Sequence, residues 1–491
     1  MNRRVEKLIL KLGIIGFALF ASAAASAAAD FSSLRSQLTD AVADPRFKHA
    51  QLGMKVVSLT DNSTIFDHDG EKLLKPASNA KLFAGALALD VLKPDTRIQT
   101  SAYTANKPDA AGRIGDLIIY GRGDPSFANR FYGDFRKPLA AIAKAIHKAG
   151  VKAVSGDLIA DESFFNTSGY GAGWTWEDLM YRYGAAISAL SINDNYARVI
   201  ISPGPVGQPG MIRTSPAATP FEIINRTVTT ADRGALLKWR PYLGNRMQIT
   251  GSLMRDGSSR EFRVTVKRPA VWFVQLLRIE LEKLGIKVTG RARAINWHER
   301  LLDPIPKNLH HLGSMPSPTI LRITQSMMKD SQNLYAQLLL LQVGARHRLK
   351  GESTDAAGIA QLKAFCRRAG IPDAEMQLEE GSGLSRAGLV TPNAVVQLLR
   401  HMQNHEHARA FESTLAVAGV DGTLTRRFRG TKATNNLRGK TGTINFVNAL
   451  SGYVTNQSGK RLAFSIMLNA YPGDDGRASV DRIALLLANS K

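Results

Sequence analysis

The segment Ser78-Asn79-Ala80-Lys81 places a hydroxyl and an amine three positions apart, just after Pro76. Residues 77–92 are apolar and favour a helix that begins here, and residues three apart on a helix share a face. The lysine can then take the serine proton if burial or a second cation lowers the pKa of its amine. The backbone amides at a helix start suit a developing oxyanion. About one or two such tetrads are expected by chance in a chain this long, so the motif alone is weak.

A second group is the tripeptide Lys440-Thr441-Gly442, which is followed by Thr443. Two alternating apolar runs, 448–455 and Arg461–Asn469, come next and predict a β-hairpin. A cation and a hydroxyl on an edge strand can bind a substrate carboxylate, and the glycine lets a substrate backbone approach closely.

A Ser-x-Asn tripeptide would complete such a site, and the chain contains two. Ser331-Gln332-Asn333 directly precedes a predicted helix over 334–341, and Ser191-Ile192-Asn193 lies in the middle of the chain. In either place a hydroxyl and an amide beside the serine and lysine can relay a proton and orient a substrate amide. The residue pattern alone leaves both candidates open.

In the order Ser-x-x-Lys, Ser-x-Asn, Lys-Thr-Gly, the three motifs resemble the signature of penicillin-binding proteins and class A β-lactamases. Ser331 lies 253 residues after Ser78, far more than in a β-lactamase core. That spacing resembles the D-alanyl-D-alanine carboxypeptidase/endopeptidase family of low-molecular-mass class C penicillin-binding proteins (peptidase family S13), which inserts two extra domains at this point.

Further stretches are similar to this family over nearly the whole chain after the first thirty residues. They are Leu74-Lys75-Pro76-Ala77-Ser78, Gly121-Arg122-Gly123-Asp124-Pro125, Gly381-Ser382-Gly383-Leu384-Ser385-Arg386 and Gly422-Thr423-Leu424. Glu380 departs from the family, which more often has Asp before its Gly-Ser-Gly, so the role of that loop stays open. The resemblance places Ser191 in an inserted domain, where it packs structurally, and assigns catalysis to Ser331 and Asn333.

Carried over by position, the resemblance implies an acyl-enzyme mechanism on the penultimate D-Ala of a peptidoglycan stem peptide. Ser78 would be the nucleophile and Lys81 its base, a role that is disputed across these enzymes. Ser331 would pass a proton to the leaving amine, and Asn333 would hold the substrate amide and Lys81. Backbone amides of Ser78 and Thr443 would form the oxyanion hole.

The same resemblance implies a substrate-binding strand formed by Lys440, Thr441, Gly442 and Thr443. Lys440 and Thr441 would bind the terminal carboxylate when the leaving group is free D-Ala. The partners implied are peptidoglycan and β-lactam antibiotics, the latter as covalent inhibitors, and no cofactor or metal is expected.

The expected fold is α/β (α+β): a β-lactamase/transpeptidase-like domain with an antiparallel sheet between helices, interrupted by two nested, mainly β inserted domains. The predicted divisions are a signal peptide (1–29), a penicillin-binding catalytic domain (30–95 and 305–491), inserted domain II (96–202 and 267–304) and nested inserted domain III (203–266).

Hydrophobic periodicity predicts the main elements. Helices are predicted over 31–42, 269–284, 318–343 and 478–489, a hairpin over Gln51–Ser58 and 63–67, and short strands with Gly, Pro and Asp turns over 96–298.

The first thirty residues carry Arg3, Arg4 and Lys7, then an apolar run over 12–25 and small residues. This pattern is typical of a cleaved secretory signal peptide, and predicts export to the periplasm or cell envelope. The formal net charge of +23 favours an anionic partner. Export argues against nucleic acid and leaves peripheral contact with a membrane open.

Other reactive groups have plainer interpretations. Cys366 is the one cysteine, so the fold has no internal disulfide, and it is expected to be a buried, inert thiol. His401, His405 and His407 lack a His-Glu-x-x-His pattern and are interpreted as a solvated helix face rather than a metal site. Ser382 and Ser385 are interpreted as structural.

Three rival functions remain at the level of sequence. A β-lactamase shares the serine and lysine but releases penicillin rapidly. A wall-binding protein with a dormant site would form no penicillin adduct. A basic nucleic-acid binder is incompatible with export. Sequence does not separate carboxypeptidase from endopeptidase action, since both cut after the same D-Ala carbonyl.

Overall fold

A computed structural model describes residues 31–242, 245–302, 305 and 308–491. The predicted signal peptide lies outside the described residues. The chain forms two compact units by its internal contacts. The first comprises the described residues up to Asn79 together with Leu389–Asn404 and Leu415–Lys491; the second comprises Ala80–Gly388 and His405–Thr414.

The described residues contain the following α-helices: α1 (Ser32–Val42), α2 (Ala80–Leu92), α3 (Asn129–Tyr132), α4 (Arg136–Lys148), α5 (Pro269–Glu282), α6 (Trp297–Leu302), α7 (Ile320–Lys329), α8 (Asn333–His347), α9 (Thr354–Arg368), α10 (Pro392–Gln403), α11 (Ala408–Thr414) and α12 (Gly476–Asn489).

The strands are β1 (Gln51–Ser58), β2 (Thr64–His68), β3 (Arg97–Thr104), β4 (Arg113–Ile114), β5 (Leu117–Tyr120), β6 (Ala153–Val154), β7 (Leu158–Asp161), β8 (Tyr196–Ser202), β9 (Met211–Ser215), β10 (Glu222–Thr230), β11 (Lys238–Tyr242), β12 (Arg246–Met254), β13 (Arg260–Thr265), β14 (Lys287–Val288), β15 (Ala292–Ile295), β16 (His310–Thr319), β17 (Met376–Gln377), β18 (Leu389–Val390), β19 (Ala416–Val417), β20 (Arg438–Ile444), β21 (Val447–Thr455) and β22 (Arg461–Asn469).

The first unit is built on a six-stranded antiparallel sheet with the order β19-β20-β21-β22-β1-β2. Nearly every residue of β22 is buried, which means that both faces of this central strand are covered. Helix α12 packs on β21 and β22, and α10 packs on β1, β21 and β22. This is the antiparallel sheet between helices that the sequence predicts.

The second unit contains several smaller sheets. A five-stranded sheet has the order β15-β7-β5-β3-β16, and its core is filled mainly from α4 and α5. Two three-stranded sheets, β10-β12-β11 and β13-β8-β9, enclose a separate core that includes Val199, Ile249 and Val264. Helices α2, α7, α8 and α9 pack together in the same unit.

The mixed helix-and-sheet class and the main elements predicted from periodicity are confirmed, although the structure differs from the prediction in several places. Helix α4 was missed, although its buried Leu139, Ile142 and Ile146 have helical spacing. The helical stretch predicted over 318–343 is divided into α7 and α8, and α8 begins at Asn333, one residue before the helix start predicted at 334. The helix predicted to begin at Ala77 begins with a 3₁₀ turn, Ala77–Asn79, before α2.

The predicted domain boundaries stay a prediction, and one of them, residue 304, lies outside the described residues. Within the described part of the chain, no helix is long and apolar enough to cross a membrane.

Gly452 lies in the middle of β21 and faces β20. A methyl group at this position would overlap the carbonyl oxygen of Arg438 and lie 2.6 Å from Cα of Gly439. We expect Gly452→Ala to lower the free energy of unfolding by about 1–3 kcal/mol, because the two strands must separate to admit it. Urea denaturation followed by circular dichroism would measure the change.

Gly115→Ala is the matched control for this substitution. Apart from Gly115 itself and its two chain neighbours, no residue has an atom within 4 Å of a methyl group built there, so a change within about 0.5 kcal/mol is expected. Equal stability of the two variants would contradict the packing described for β20 and β21.

Candidate active site

Ser78 lies in the 3₁₀ turn Ala77–Asn79, directly before α2. The turn is entered through Ala77 at φ 46°, a left-handed conformation that costs energy for a residue with a side chain. The buried Asn79 anchors the turn to the sheet, since its Nδ2 donates to Ser451 Oγ at 2.7 Å. Ser451 Oγ in turn donates to Ser465 Oγ at 2.9 Å. The serine therefore sits on a sharply bent segment that the central strands hold in place.

Strand β20 packs directly on this turn within the first unit. A methyl group at Gly442 would lie 2.5 Å from the carbonyl oxygen of Pro76 and 3.2 Å from Ala77 Cβ. Only a glycine lets the strand come this close to the turn. The first and third motifs are thus adjacent in the structure, although they lie more than 350 positions apart in the sequence.

The polar residues of β20 are largely buried beside this contact. Lys440 is fully buried, and its Nζ donates to the carbonyl oxygen of Thr441 at 2.8 Å. Thr441 Oγ1 donates to Thr423 Oγ1 at 2.9 Å, which fixes the rotamer of the Thr441 hydroxyl. Thr443 is exposed and pairs with Asn448 in the hairpin. A lysine and hydroxyls arranged in this way can donate hydrogen bonds to a bound carboxylate.

Lys81 lies in the first turn of α2, in the second unit, and is fully buried. Its Nζ donates to Asn333 Oδ1 and to the carbonyl oxygen of Ser382, both at 2.6 Å. Burial lowers the pKa of the amine to about 7, against an opposing effect of the Glu380 carboxylate, which favours the charged form. An amine with this pKa can be neutral near pH 7 and accept a proton.

Ser331 occupies the break between α7 and α8 and has φ 57°. The backbone N–H of Gln332 donates to the carbonyl oxygen of Met327, which closes this left-handed bend. Asn333 is the first residue of α8, and its Nδ2 donates to the carbonyl oxygen of Tyr183 at 2.9 Å. Both ends of the Asn333 amide are therefore fixed, one by Lys81 and one by backbone.

The loop after Glu380 presents the second acceptor for Lys81. The buried Glu380 carboxylate accepts backbone N–H groups from Ser382, Gly383, Leu384 and Ser385, at 2.5 to 3.4 Å. Four such bonds fix the loop and, with it, the carbonyl oxygen of Ser382. The pattern of residues leaves the role of this loop open, and the Gly-Ser-Gly after a carboxylate is the signal that points to it.

The other Ser-x-Asn tripeptide makes local bonds. Ser191 Oγ donates to the carbonyl oxygen of Ser188, and Asn193 Nδ2 donates to that of Tyr196. These bonds stabilise a turn in the second unit.

Cys366 is buried as expected, and burial raises the pKa of its thiol to about 12. Among the residues that the structure describes, no group of three or more His, Cys, Asp or Glu side chains could hold a metal ion. His405 lies beside Asp90, with Nε2 and Oδ1 3.3 Å apart.

The predicted site residues thus fall into two sets. Ser78 and the strand Lys440–Thr443 belong to the first unit, while Lys81, Ser331 and Asn333 belong to the second. Within the first unit the strand meets the turn of Ser78, and within the second the amide of Asn333 meets Lys81. The tetrad joins the two sets covalently, because Ser78 and Lys81 are three residues apart.

Comparison with known proteins shows the family to which the chain belongs. The model of the D-Ala-D-Ala carboxypeptidase 3 (S13) family matches residues 34–490. A D-alanyl-D-alanine carboxypeptidase from Actinomadura sp. (strain R39) is 33% identical over 476 residues, covering 94% of this chain and 85% of that protein. The D-alanyl-D-alanine carboxypeptidase DacB of Haemophilus influenzae is 26% identical over 449 residues, 89% of each chain.

The fold is also that of a solved relative. The crystal structure of penicillin-binding protein 4 (dacB) from Haemophilus influenzae matches with a TM-score of 0.78 at 24% identity, over 92% of this chain and 99% of that one. Fold and sequence together define a serine-type D-Ala-D-Ala carboxypeptidase. The chain belongs to the S13 family.

The Lys81 amine is expected to titrate near pH 7, and in Glu380→Gln at a lower pH, because the loss of the carboxylate charge removes an effect that favours the ammonium form. NMR of protein carrying ¹³C-labelled lysine would show this, with the Lys81 signal identified by its loss in Lys81→Met. Glu379→Gln, at the neighbouring carboxylate, is the control and should leave the titration nearly unchanged. A Lys81 signal that titrates near 10.5 in the wild type would contradict the buried environment described here.

Proposed function

We propose that the enzyme works through an acyl-enzyme on Ser78 and that it is exported to act on peptidoglycan stem peptides and crosslinks. The observation that carries this proposal is the bond from Lys81 Nζ to Asn333 Oδ1, at 2.6 Å. This bond joins the Ser-x-x-Lys and Ser-x-Asn motifs through residues 252 positions apart. It holds a buried amine of lowered pKa three residues along the chain from Ser78. The approach of Gly442 to the Ser78 turn supports the same assignment for the third motif.

In the acylation step, Ser78 Oγ attacks the carbonyl carbon of the penultimate D-Ala, and its proton passes to the neutral Lys81 amine. The negative charge on the carbonyl oxygen is stabilised by the backbone N–H groups of Ser78 and Thr443. The C–N bond then breaks, and Ser331 gives its hydroxyl proton to the leaving amine while it receives the proton held by Lys81, so that Lys81 is neutral again. The products are a serine ester and a free amine.

In the deacylation step, water attacks the ester carbonyl and gives up a proton, the bond to Ser78 Oγ breaks, and the serine regains its hydroxyl. Lys440 and Thr441 bind the carboxylate of a leaving D-Ala, and Asn333 orients the peptide amide. Since Lys81 must be neutral to act as the base, acylation becomes faster as pH rises through about 7.

Penicillin mimics the same scissile amide and is proposed to acylate Ser78. The similar Haemophilus influenzae protein has been solved in complex with a β-lactam. Export is proposed from the basic and apolar pattern of the first thirty residues, and it would place the enzyme with its wall substrate.

Benzylpenicillin is expected to add its whole mass to the wild-type protein and to remain bound, and Ser78→Ala is expected to show no adduct. Intact-protein mass spectrometry over time measures both. Rapid loss of the adduct would instead indicate a β-lactamase, and an adduct on Ser78→Ala would refute the assignment of the nucleophile.

The two Ser-x-Asn tripeptides supply a matched pair for the same assay. Ser331→Ala should slow adduct formation by about 100-fold or more, the usual contribution of a positioned proton donor. Ser191→Ala removes the same hydroxyl from the other tripeptide and should react at nearly the wild-type rate.

Purified muropeptides test the peptidoglycan substrate directly. Monomeric pentapeptide is expected to release free D-Ala, and crosslinked dimer is expected to yield monomers, because both reactions cleave after the same carbonyl. Chromatography of the products separates them. Ser78→Ala should be inactive on both substrates, and release of neither product by the wild type would contradict the proposal.

A further inference from the structure

Ser331 is bracketed by two residues whose side chains bond to the same small network. Asp330 precedes it, and Tyr335 follows it on the first turn of α8. Arg130 Nη1 contacts Asp330 Oδ2 at 2.8 Å, and Arg130 Nη2 contacts Asp194 Oδ2 at 2.8 Å. The Tyr335 hydroxyl donates to the other oxygen of Asp194 at 2.5 Å. Asp194 is therefore bonded directly to Tyr335, after the Ser331 bend, and through Arg130 to Asp330, before it.

Asp194 is presented by an unusual backbone. Asn193, Asp194 and Asn195 are consecutive and all left-handed, with φ of 49°, 52° and 55°. The chain rarely adopts this conformation without glycine, and such runs persist only where surrounding bonds hold them.

The asparagines on either side of Asp194 hold that turn. Asn195 Oδ1 accepts the backbone N–H of Ile192, its Nδ2 donates to the carbonyl oxygen of Ala186, and Asn193 Nδ2 donates to that of Tyr196. The asparagines bond locally, whereas the Asp194 carboxylate bonds to two other elements, α3 and α8.

Tyr335 and Asp194 are shielded from water, whereas the Asp330 side chain is 44% exposed. Tyr335 is fully buried, and the Asp194 side chain retains 12% of its exposure. The Phe131 and Tyr335 rings stack with centroids 5.9 Å apart, and the Arg130 guanidinium lies over the Tyr335 ring. Charge-assisted bonds in such surroundings are stronger and more directional than surface ion pairs. Ser331 itself has a strained backbone, so its orientation depends on what holds the residues around it.

We infer that Asp194, with Arg130 and Tyr335, is a positioning residue that aims the Ser331 hydroxyl at the leaving amine. The inference rests on the proposed function of Ser331. It gives a role to the residues around the second Ser-x-Asn tripeptide: the side chains of Asn193 and Asn195 hold the turn that presents Asp194. Arg130 couples the turn to Asp330, and Tyr335 couples it to the start of α8.

The experiment compares two leaving groups. An acyl-D-alanyl-D-alanine peptide expels an amine, which must be protonated to leave, whereas the matching acyl-D-alanine thiolester expels a thiolate, which leaves without a proton. Tyr335→Phe removes one hydroxyl and keeps the stacked ring, and Asp194→Asn removes the charge at nearly constant size. Each is expected to lower kcat/KM for the peptide by about 10-fold or more and for the thiolester by less than about 3-fold.

Tyr132→Phe is the matched control. Like Tyr335→Phe, it removes one tyrosine hydroxyl. Tyr132 lies in α3, two positions after Arg130, and its hydroxyl is 3.5 Å from Ser126 Oγ, outside the network of Asp194. It should change neither rate constant appreciably. In a Ser331→Ala background, Tyr335→Phe should add little further loss on the peptide, because the hydroxyl that it positions is already absent.

The possible results distinguish a failure of the proposed function from a failure of the positioning role of Asp194. If Ser78→Ala still hydrolyses either substrate, the proposed function fails. If Ser78→Ala is inactive but both network variants slow peptide and thiolester equally, or slow neither, the proposed function survives and the positioning role is refuted. Additive losses in the Ser331→Ala background would refute it as well.

Discussion

A lysine amine buried away from water must find hydrogen-bond acceptors, or its burial is too costly for the fold. In this protein the acceptors of Lys81 come from residues far along the chain, the side chain of Asn333 and the backbone of Ser382. This requirement links α2 to the start of α8 and to the loop held by Glu380. The same burial that makes these bonds necessary also weakens the basicity of the amine, so one constraint serves both structure and chemistry.

In the first unit, the close approach of strand β20 to the Ser78 turn brings the reactive residues together. The Ser78 turn is bonded to β21 through the Asn79 side chain, and Gly442 of β20 approaches its backbone closely. The first contact is a hydrogen bond and the second a close approach of backbone, and neither depends on apolar area. The hydrophobic core beneath the sheet stabilises the strands, and these few polar and steric contacts set where the reactive residues lie relative to the strands.

Sequence predicted what depends on local pattern. The hairpins, the terminal helices and the three motifs follow from periodicity and residue type, and the break before Asn333 coincides with the predicted start of a helix. It did not predict the left-handed conformations of Ala77 and Ser331, since tertiary bonds rather than residue type impose them. The bonds from four N–H groups to Glu380 were not predicted either, because these groups converge only in the folded loop. The roles of the individual site residues remain predictions.

The pairing of β1 with β22 has a consequence for how the chain acquires its structure. Gln51 pairs with Asn469, so β1 can form this pairing only after a strand more than 400 positions later has been made. Contacts of such long range are slow to form, because a large loop must close before they bring any gain. Strand β1 is thus left without this neighbour until β22 has been synthesised. A ribosome-bound or prematurely terminated chain would expose the unpaired N–H and C=O groups of β1. Such an edge is a target for chaperones and for proteases.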